Sequence, residues 1–203
     1  MNRFKLFTGG PLDTNAYLYQ APEGLILFDA PMGADEAFAD LPVKLLLLTH
    51  GHFDHVADAA AIVRRHGCQV GLHPDSLPMV SDREFFVRWG YGLEVEPVGV
   101  DLLLDREGPV HFLGTEFTLL HVPGHCPGSL CFYQPGDSTV VGGDVLFRGG
   151  VGRTDLPGGD TEQLLTGIRN KLFTLPDEVI VLPGHGPATS IGYERRTNPF
   201  LMI

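Results

Sequence analysis

The sequence predicts an α/β fold, an αββα four-layer sandwich in which two packed sheets lie between outer layers of helices. Short apolar segments typical of strands occur in both halves of the chain, and in each half they are followed by a segment of helical composition. A coarse ββ-then-α order therefore occurs twice, and no low-complexity linker separates the two halves. Two packed sheets with helices on their outer faces satisfy this order. A chain of 203 residues is long enough for one core, so we expect one domain spanning residues 1–203.

The first half predicts a sheet built from hairpins. Segments 4–8, 16–20 and 25–28 have strand composition and are separated by Gly- and Pro-containing turns. Residues 45–48 are four consecutive leucines, short enough for a buried central strand. Residues 56–66 have the composition of a helix, with Gly67 as its stop.

The second half predicts three strands, a helix and a further strand. The strands are expected at 116–121, 130–133 and 139–141, the helix at 161–173 and the last strand at 179–182. The 26 glycines and 16 prolines fall largely at strand ends. Because loops at strand ends commonly carry function, we expect the site to be made of loops.

Composition excludes several classes of partner. The formal net charge is -11 and no Lys/Arg cluster is present, which argues against nucleic acid. No apolar run approaches the roughly 20 residues that span a bilayer, so no membrane is expected. The three cysteines show no paired framework, and no signal peptide is visible, so we expect no disulfides and a cytoplasmic location.

The segment His50-Gly51-His52-Phe53-Asp54-His55 is a dense group of metal-ligand side chains. His50 and His52 are two residues apart, so in extended backbone their side chains project to the same side and both reach one ion. Asp54 and His55 follow at the predicted turn into a helix, where they face a second ion. This spacing arises by accident about once in a thousand such sequences. The alternative is a set of surface residues with Asp54 as a helix N-cap.

This segment resembles the signature of the metallo-β-lactamase fold superfamily. Asp29, after the strand 25–28, matches the early Asp that supports the ligand loop in that family. His125 within Pro-Gly-His-Cys-Pro-Gly-Ser, Asp144 within Gly-Gly-Asp and His185 within Pro-Gly-His-Gly match the later motifs in order. The resemblance covers nearly the whole chain.

The resemblance implies a two-metal centre with seven N or O ligands. It places one metal on His50, His52 and His125, a second on Asp54, His55 and His185, and Asp144 between them as a bridge. A bridging carboxylate holds two ions about 3.5–4 Å apart, so that one hydroxide lies between them as the nucleophile. Asp54 is expected to orient that hydroxide as well. The ligand set suits Zn first, with Fe or Mn as alternatives.

Within the superfamily, the chain is similar to the glyoxalase II (hydroxyacylglutathione hydrolase) branch, in particular its short members. Segments 152–155 (Gly-Arg-Thr-Asp), 173–176 and 192–200 carry this likeness. It implies hydrolysis of a small-molecule thioester such as S-lactoylglutathione, whose thiol, with a pKa of about 8.5, leaves without a strong general acid. Typical glutathione-binding members continue into helices that form much of the thiol pocket, whereas this sequence stops at Ile203. The thiol half of the substrate therefore stays open.

A group of aromatic residues and one arginine each have a functional and a structural interpretation. Phe85, Trp89 and Tyr91, with Phe86, form either a wall over the metals that contacts substrate or a hydrophobic cluster under a loop. Arg153 either meets a substrate carboxylate or forms a salt bridge that fixes its loop to Asp155.

Three further residues are expected beside the ligands rather than among them. Asp29 is expected to support the ligand loop. His121 is expected next to the site, because in the matched motif the His after Pro-Gly is the ligand. Cys126 directly follows that ligand and is either a partner of the site or a small buried side chain.

Three other functions compete with thioester hydrolysis. A persulfide dioxygenase of the same fold uses a single iron on two His and one Asp, and the presence of Asp54 favours two metals instead. A lactonase or phosphodiesterase would use the same ligands. A non-enzymatic module with structural ions is disfavoured because structural zinc sites are usually closed and often use Cys. Oligomeric state is not indicated by these residues.

Overall fold

The computed structural model describes residues 3–202, which form two six-stranded sheets, a small hairpin and seven helices. The strands are β1 Phe4–Gly9, β2 Thr14–Ala21, β3 Gly24–Phe28, β4 Val43–Leu47, β5 Gln69–Leu72, β6 Leu102–Leu103, β7 Gly108–Phe112, β8 Thr115–His121, β9 Leu130–Gln134, β10 Thr139–Gly143, β11 Leu146–Phe147, β12 Gly150–Val151, β13 Ile180–Pro183 and β14 Thr189–Ser190. The helices are α1 Ala34–Ala37, α2 Phe53–Val56, α3 Ala59–His66, α4 Leu77–Ser81, α5 Phe85–Arg88, α6 Thr161–Asn170 and α7 Ile191–Thr197.

The first sheet has the strand order β1-β2-β3-β4-β5-β6 and the second has the order β14-β13-β10-β9-β8-β7. Strands β3 to β6 run parallel to one another, and β10 pairs in parallel with β13. The remaining pairs of the two sheets are antiparallel. The hairpin β11-β12 lies outside both sheets.

Three apolar layers separate four layers of secondary structure, which confirms the predicted sandwich. Strand β3 shows why: Leu27 packs in the cluster under α3, whereas Phe28 packs in the cluster between the sheets, since successive side chains of a strand point to opposite faces. The second sheet packs its other face on α6 through residues such as Ile168. Helices therefore cover the outside of both sheets.

The predicted helix 56–66 is wrong at its start, because the structure has two helices, α2 and α3, in that region. The backbone of Ala30 interrupts the helical hydrogen bonds: its N–H donates to the carbonyl of His55 and its carbonyl accepts from the N–H of Asp58. The Asp58 carboxylate also accepts from the N–H groups of Gly33 and Asp35. A contact between segments distant in sequence therefore sets this break.

The predicted helix 161–173 ends earlier, at Asn170, and continues as a 3-10 turn over Leu172–Thr174. The backbone leaves helical geometry at Lys171, which has φ -121° and ψ -60°. The Lys171 ammonium donates to the carbonyl of His121 and to Glu107, and these bonds tie the end of α6 to the second sheet.

Among residues 3–202, no helix has the length and hydropathy needed to cross a bilayer.

Candidate metal centre

The predicted ligands converge at one edge of the sandwich, where loops from both sheets meet. Residues 50–55 follow β4 of the first sheet, whereas His125 precedes β9 of the second. Asp144 and His185 follow β10 and β13, which are a parallel pair and so end at the same edge. Two sheets therefore each contribute part of one cluster.

The first ligand group consists of His50, His52 and His125, all buried, with one nitrogen of each within 4.8 Å of the others. His52 Nδ1 lies 2.9 Å from His125 Nε2, which in turn lies 3.3 Å from His50 Nε2. Three imidazole nitrogens that face one point are a ligand set suited to zinc, iron or manganese.

The second group consists of Asp54, His55 and His185. His185 Nε2 lies 3.2 Å from Asp54 Oδ2, and His55 Nε2 lies 3.6 Å from the same oxygen. His55 is fully buried, while His185 is partly exposed. This group therefore opens toward solvent on the His185 side.

Asp144 lies between the two groups. Its Oδ1 is 3.2 Å from His55 Nε2, and its Oδ2 is 3.4 Å from His185 Nε2 and 3.5 Å from His125 Nε2. One carboxylate thus contacts imidazoles of both groups, which is the arrangement expected of a bridging ligand.

Hydrogen bonds at the far ring nitrogens orient four of the five imidazoles. His55 Nδ1 donates to Asp29 Oδ2 at 2.8 Å and His125 Nδ1 donates to the carbonyl of Arg153 at 2.8 Å. His185 Nδ1 donates to the carbonyl of Leu12 at 3.0 Å. Such partners fix the tautomer, so that the Nε2 lone pair of each ring points into the cluster.

Asp29 reaches a fourth imidazole through Thr49. Its carboxylate accepts from the backbone N–H of Thr49 at 2.7 Å and from the Thr49 hydroxyl at 2.8 Å. That hydroxyl accepts in turn from His50 Nδ1 at 3.1 Å. Asp29 therefore contacts His55 directly and His50 through the Thr49 hydroxyl.

The side chains fit metal ions, because several of their polar atoms lack any other partner. His52 Nε2, His55 Nε2 and Asp144 Oδ1 are buried and make no hydrogen bond with any residue in the described range. His55 Nε2 is near Asp144 Oδ1, but the two are not aligned as a hydrogen bond. Buried polar atoms without partners are costly, and a cation bound by His55 Nε2 and Asp144 Oδ1 would remove that cost for these two atoms.

The pKa shifts show what the cluster does with protons alone. Burial lowers the pKa of His52 to about 3, and the imidazole of His125 adds to this effect. Burial also acts to lower the pKa of His185, but hydrogen bonds with Asp144 and Asp54 outweigh it and raise that pKa to about 10. Burial likewise opposes protonation of His55, yet the surrounding carboxylates hold its pKa well above its usual range. Without cations, protons therefore concentrate on the second group.

Gly184 is required by the close packing of this cluster. A Cβ at Gly184 would lie 2.1 Å from Asp144 Oδ1 and 2.6 Å from His55 Cε1. Any larger residue would push the bridging carboxylate out of place. Glycine is therefore required at position 184 by close packing in the site, and not by the backbone conformation of the turn.

A cavity of about 650 Å³ opens beside the cluster. Trp89 and Tyr91 line it, and the Trp89 ring lies 6.4 Å from the His52 ring. Phe85 is placed behind this wall, where its ring packs on Trp89 at 4.7 Å and on the apolar core. Arg153 lines the rim, but its guanidinium is paired with Asp155.

Cys126 adjoins His125 in its loop, whereas the His121 ring stacks on the His73 ring with centroids 4.0 Å apart. His121 Nε2 donates to the carbonyl of Pro127 at 2.7 Å and thereby supports the loop that carries His125. Cys126 Sγ is buried 3.7 Å from the hydroxyl of Ser76, and burial raises the pKa of its thiol. Cys126 therefore packs the core behind the ligand loop as a neutral side chain.

Three contributors were missed from sequence. The Thr14 hydroxyl donates to Asp54 Oδ2 at 2.8 Å, and Asn15 Nδ2 donates to the carbonyls of Pro183 and Gly186 on either side of His185. Thr49 adjoins the ligand segment, which was a usable signal. Thr14 and Asn15 lie outside every motif, so nothing in their local sequence indicated them.

Comparison with known proteins agrees with this geometry. A family model described as the metallo-beta-lactamase superfamily matches residues 9–185. The chain is 42% identical over 165 residues to the hydroxyacylglutathione hydrolase GloC of Haemophilus influenzae, which covers 80% of this chain and 77% of that protein. Among solved structures it resembles BLEG-1, described as a B3 metallo-beta-lactamase, with a TM-score of 0.91 and 36% identity over 98% of this chain and 99% of that chain. It also resembles TTHA1623 in a di-iron-bound form, with a TM-score of 0.86 and 42% identity over 97% of this chain and 100% of that chain.

The fold and the His/Asp clusters define a metal-dependent hydrolase. The chain belongs to the metallo-beta-lactamase superfamily, and its likeness to GloC supports the glyoxalase II-like branch.

Proposed function

We propose that this chain is a dinuclear metal-dependent hydrolase of thioesters, formed by one domain, with S-lactoylglutathione as its reference substrate. The observation that carries the proposal is Asp144, whose two oxygens contact imidazoles of both ligand groups. His50, His52 and His125 would hold one ion, and Asp54, His55 and His185 would hold the other. The name of the relative GloC supports the glutathione thioester as first test substrate.

Two bound ions would supply Lewis acidity at the carbonyl and an acidified water at neutral pH. In the net reaction, a water oxygen bonds to the carbonyl carbon and the carbon–sulfur bond breaks with its electron pair on sulfur. The protons of water end on the carboxyl and thiol products or in solvent. Zn is the first expected metal and Fe the second, since the similar TTHA1623 has a di-iron form, with Mn as a further candidate.

Side chains around the second ligand group would position the attacking water and contact the substrate. Asp54 Oδ2 faces His185 Nε2 and accepts from Thr14, so its carboxylate is held at the edge of the second group, where the cavity begins. There it is placed to accept a hydrogen bond from an attacking water. Trp89 and Phe53 give the cavity an apolar wall beside this carboxylate, against which the substrate can pack.

Metal stoichiometry and turnover together test the proposal. We expect two ions per chain by elemental analysis and hydrolysis of S-lactoylglutathione by the same preparation. Asp144→Ala is expected to lower the metal content and abolish turnover, whereas His111→Ala, a largely exposed imidazole elsewhere, is expected to change neither. A single iron with oxygen uptake on glutathione persulfide, or hydrolysis restricted to β-lactams, lactones or phosphodiesters, would contradict it.

A further inference from the structure

The wall of the cavity outside the metal cluster is almost entirely apolar. Phe53, Trp89 and Tyr91 contribute an aromatic part of the lining, and Phe147 and Val151 of the β11-β12 hairpin contribute another apolar part. The aromatic side is tightly built, since the Phe53 ring lies 5.8 Å from the Tyr91 ring. A substituent that extends from a carbonyl at the ligand cluster into this cavity therefore contacts mainly apolar side chains.

The charge on the rim is already neutralised. Of the described residues that line the cavity, Arg153 alone carries a guanidinium or ammonium group. Its Nε and NH2 donate to the two oxygens of Asp155 at 2.7 and 2.8 Å, and both side chains are exposed. A substrate carboxylate would have to compete with Asp155 for this cation. The formal net charge of the chain, -11, adds no attraction for anions.

Glutathione is a poor match for such a wall, because its two carboxylates and one ammonium need polar partners when they leave water. An uncharged aromatic or aliphatic group needs none and gains from burial. Resting on the thioester hydrolysis above, we propose that the cavity selects thioesters that carry an apolar, uncharged substituent of about the size of an aromatic ring. Trp89 is then a specificity-determining residue, and the Arg153–Asp155 pair disfavours a charged peptide thiol.

Four thioesters test the proposal with the metal-loaded protein: the acetyl and phenylacetyl esters of glutathione and of uncharged N-acetylcysteamine. Both thiols are alkyl thiols, so the leaving groups are similar. With N-acetylcysteamine, we expect kcat/KM for the phenylacetyl ester to exceed that for the acetyl ester by about tenfold or more. We expect the glutathione esters to be no better than their N-acetylcysteamine counterparts.

Variants show whether the wall causes this preference. Trp89→Ala is expected to remove the phenylacetyl preference, and Trp89→Phe, which keeps an aromatic ring, is expected to retain most of it. Val87→Ala is the matched control, because Val87 lies on α5, the short helix that Trp89 directly follows, but is 40% exposed and does not line the cavity. Asp155→Asn frees Arg153 and is expected to raise kcat/KM for the glutathione esters by about two- to fivefold.

A binding measurement separates this inference from the proposed reaction. The chain contains one tryptophan, Trp89, so its fluorescence reports directly on the cavity. S-benzyl-N-acetylcysteamine is expected to shift this emission at lower concentration than S-methylglutathione. If no thioester is hydrolysed, the proposed function fails and the fluorescence titration still decides the inference. A preference of tenfold or more for glutathione, in turnover or in binding, would overturn the inference and leave thioester hydrolysis standing.

Discussion

Asp29→Asn tests how far one carboxylate outside the ligand set controls the metal centre. Asp29 is buried, and its backbone has φ +60°, a left-handed conformation that Asn adopts more readily than most residues. The substitution therefore keeps the backbone and nearly the shape of the side chain, and changes only the hydrogen bonding. Alanine would confuse loss of these bonds with backbone strain.

The carboxylate accepts three hydrogen bonds, from the N–H of Thr49, the hydroxyl of Thr49 and Nδ1 of His55. An amide retains one accepting oxygen, which suits the Thr49 N–H, and then directs its own N–H toward His55 Nδ1. His55 must respond by moving its proton to Nε2, the atom that faces Asp144. The free lone pair of His55 is then on Nδ1, which points away from the second ion.

The expected loss is about 10–100-fold in affinity for the second ion, which corresponds to about 1.4–2.7 kcal/mol. The metal-free protein should lose about 2–4 kcal/mol of unfolding free energy from the weakened buried bonds. A competition titration with a chromophoric chelator measures the first quantity, and urea unfolding measures the second. Asp58→Asn is the matched control, since Asp58 also accepts from two backbone N–H groups but belongs to the helix break. Unchanged affinity for both ions in a folded Asp29→Asn protein would refute this reasoning.

Three further predictions follow from the same contacts. His52→Ala should lower thioester hydrolysis by more than about 100-fold and reduce bound metal, since it removes one of three nitrogens of the first group; full activity with full metal content would contradict the ligand assignment. In the metal-free protein, His185 has a pKa raised to about 10, so its contribution to stability is complete below its unfolded pKa of about 6.5 and is lost as the pH rises toward 10. Urea unfolding of the metal-free protein from pH 6 to 10 checks this loss of stability. Metal loading at pH 7.5, followed on a pH-stat, should release protons from His185 and His55, and loading without proton release would contradict the raised pKa values. Glu194→Gln should cost about 2–4 kcal/mol of unfolding free energy, because the buried Glu194 carboxylate accepts from the Thr189 hydroxyl, the N–H of Gly149 and the amide of Asn198. Metal stoichiometry should stay at the wild-type value in that variant, and a loss of metal would show that this carboxylate supports the site as well.

The metal cluster was predictable because its signal is local. The spacing of His50, His52, Asp54 and His55 sets side-chain direction along a few residues, and short glycine motifs mark the later ligands. The strands that end beside them were predictable for a similar reason, since apolar runs such as β4 record burial directly. Both kinds of signal can be recognised in the sequence before the fold is known.

The rest depends on contacts between distant parts of the chain. The break between α2 and α3 is set by the backbone of Ala30, and the orientation of His185 is set by the carbonyl of Leu12, which any residue at that position would supply. The strands β5, β6 and β7 were not predicted either, because β6 has only two residues and because β5 and β7 are short segments that contain Gly or Pro, which are typical of turns. Contacts made by backbone carbonyls, such as those of Ala30 and Leu12, do not depend on the side chain and so cannot be recognised in the sequence.

The division of the ligands between the two sheets has a consequence for the life of the protein. Residues 50–55 follow a strand of one sheet, and His125, Asp144 and His185 adjoin strands of the other, so bound ions would link the two sheets. An unfolded chain does not present this arrangement, and binding energy would therefore add to folding stability in proportion to the logarithm of free metal. Metal starvation would then lower the stability of the folded chain as well as its activity, and would enlarge the unfolded fraction that proteases can cleave.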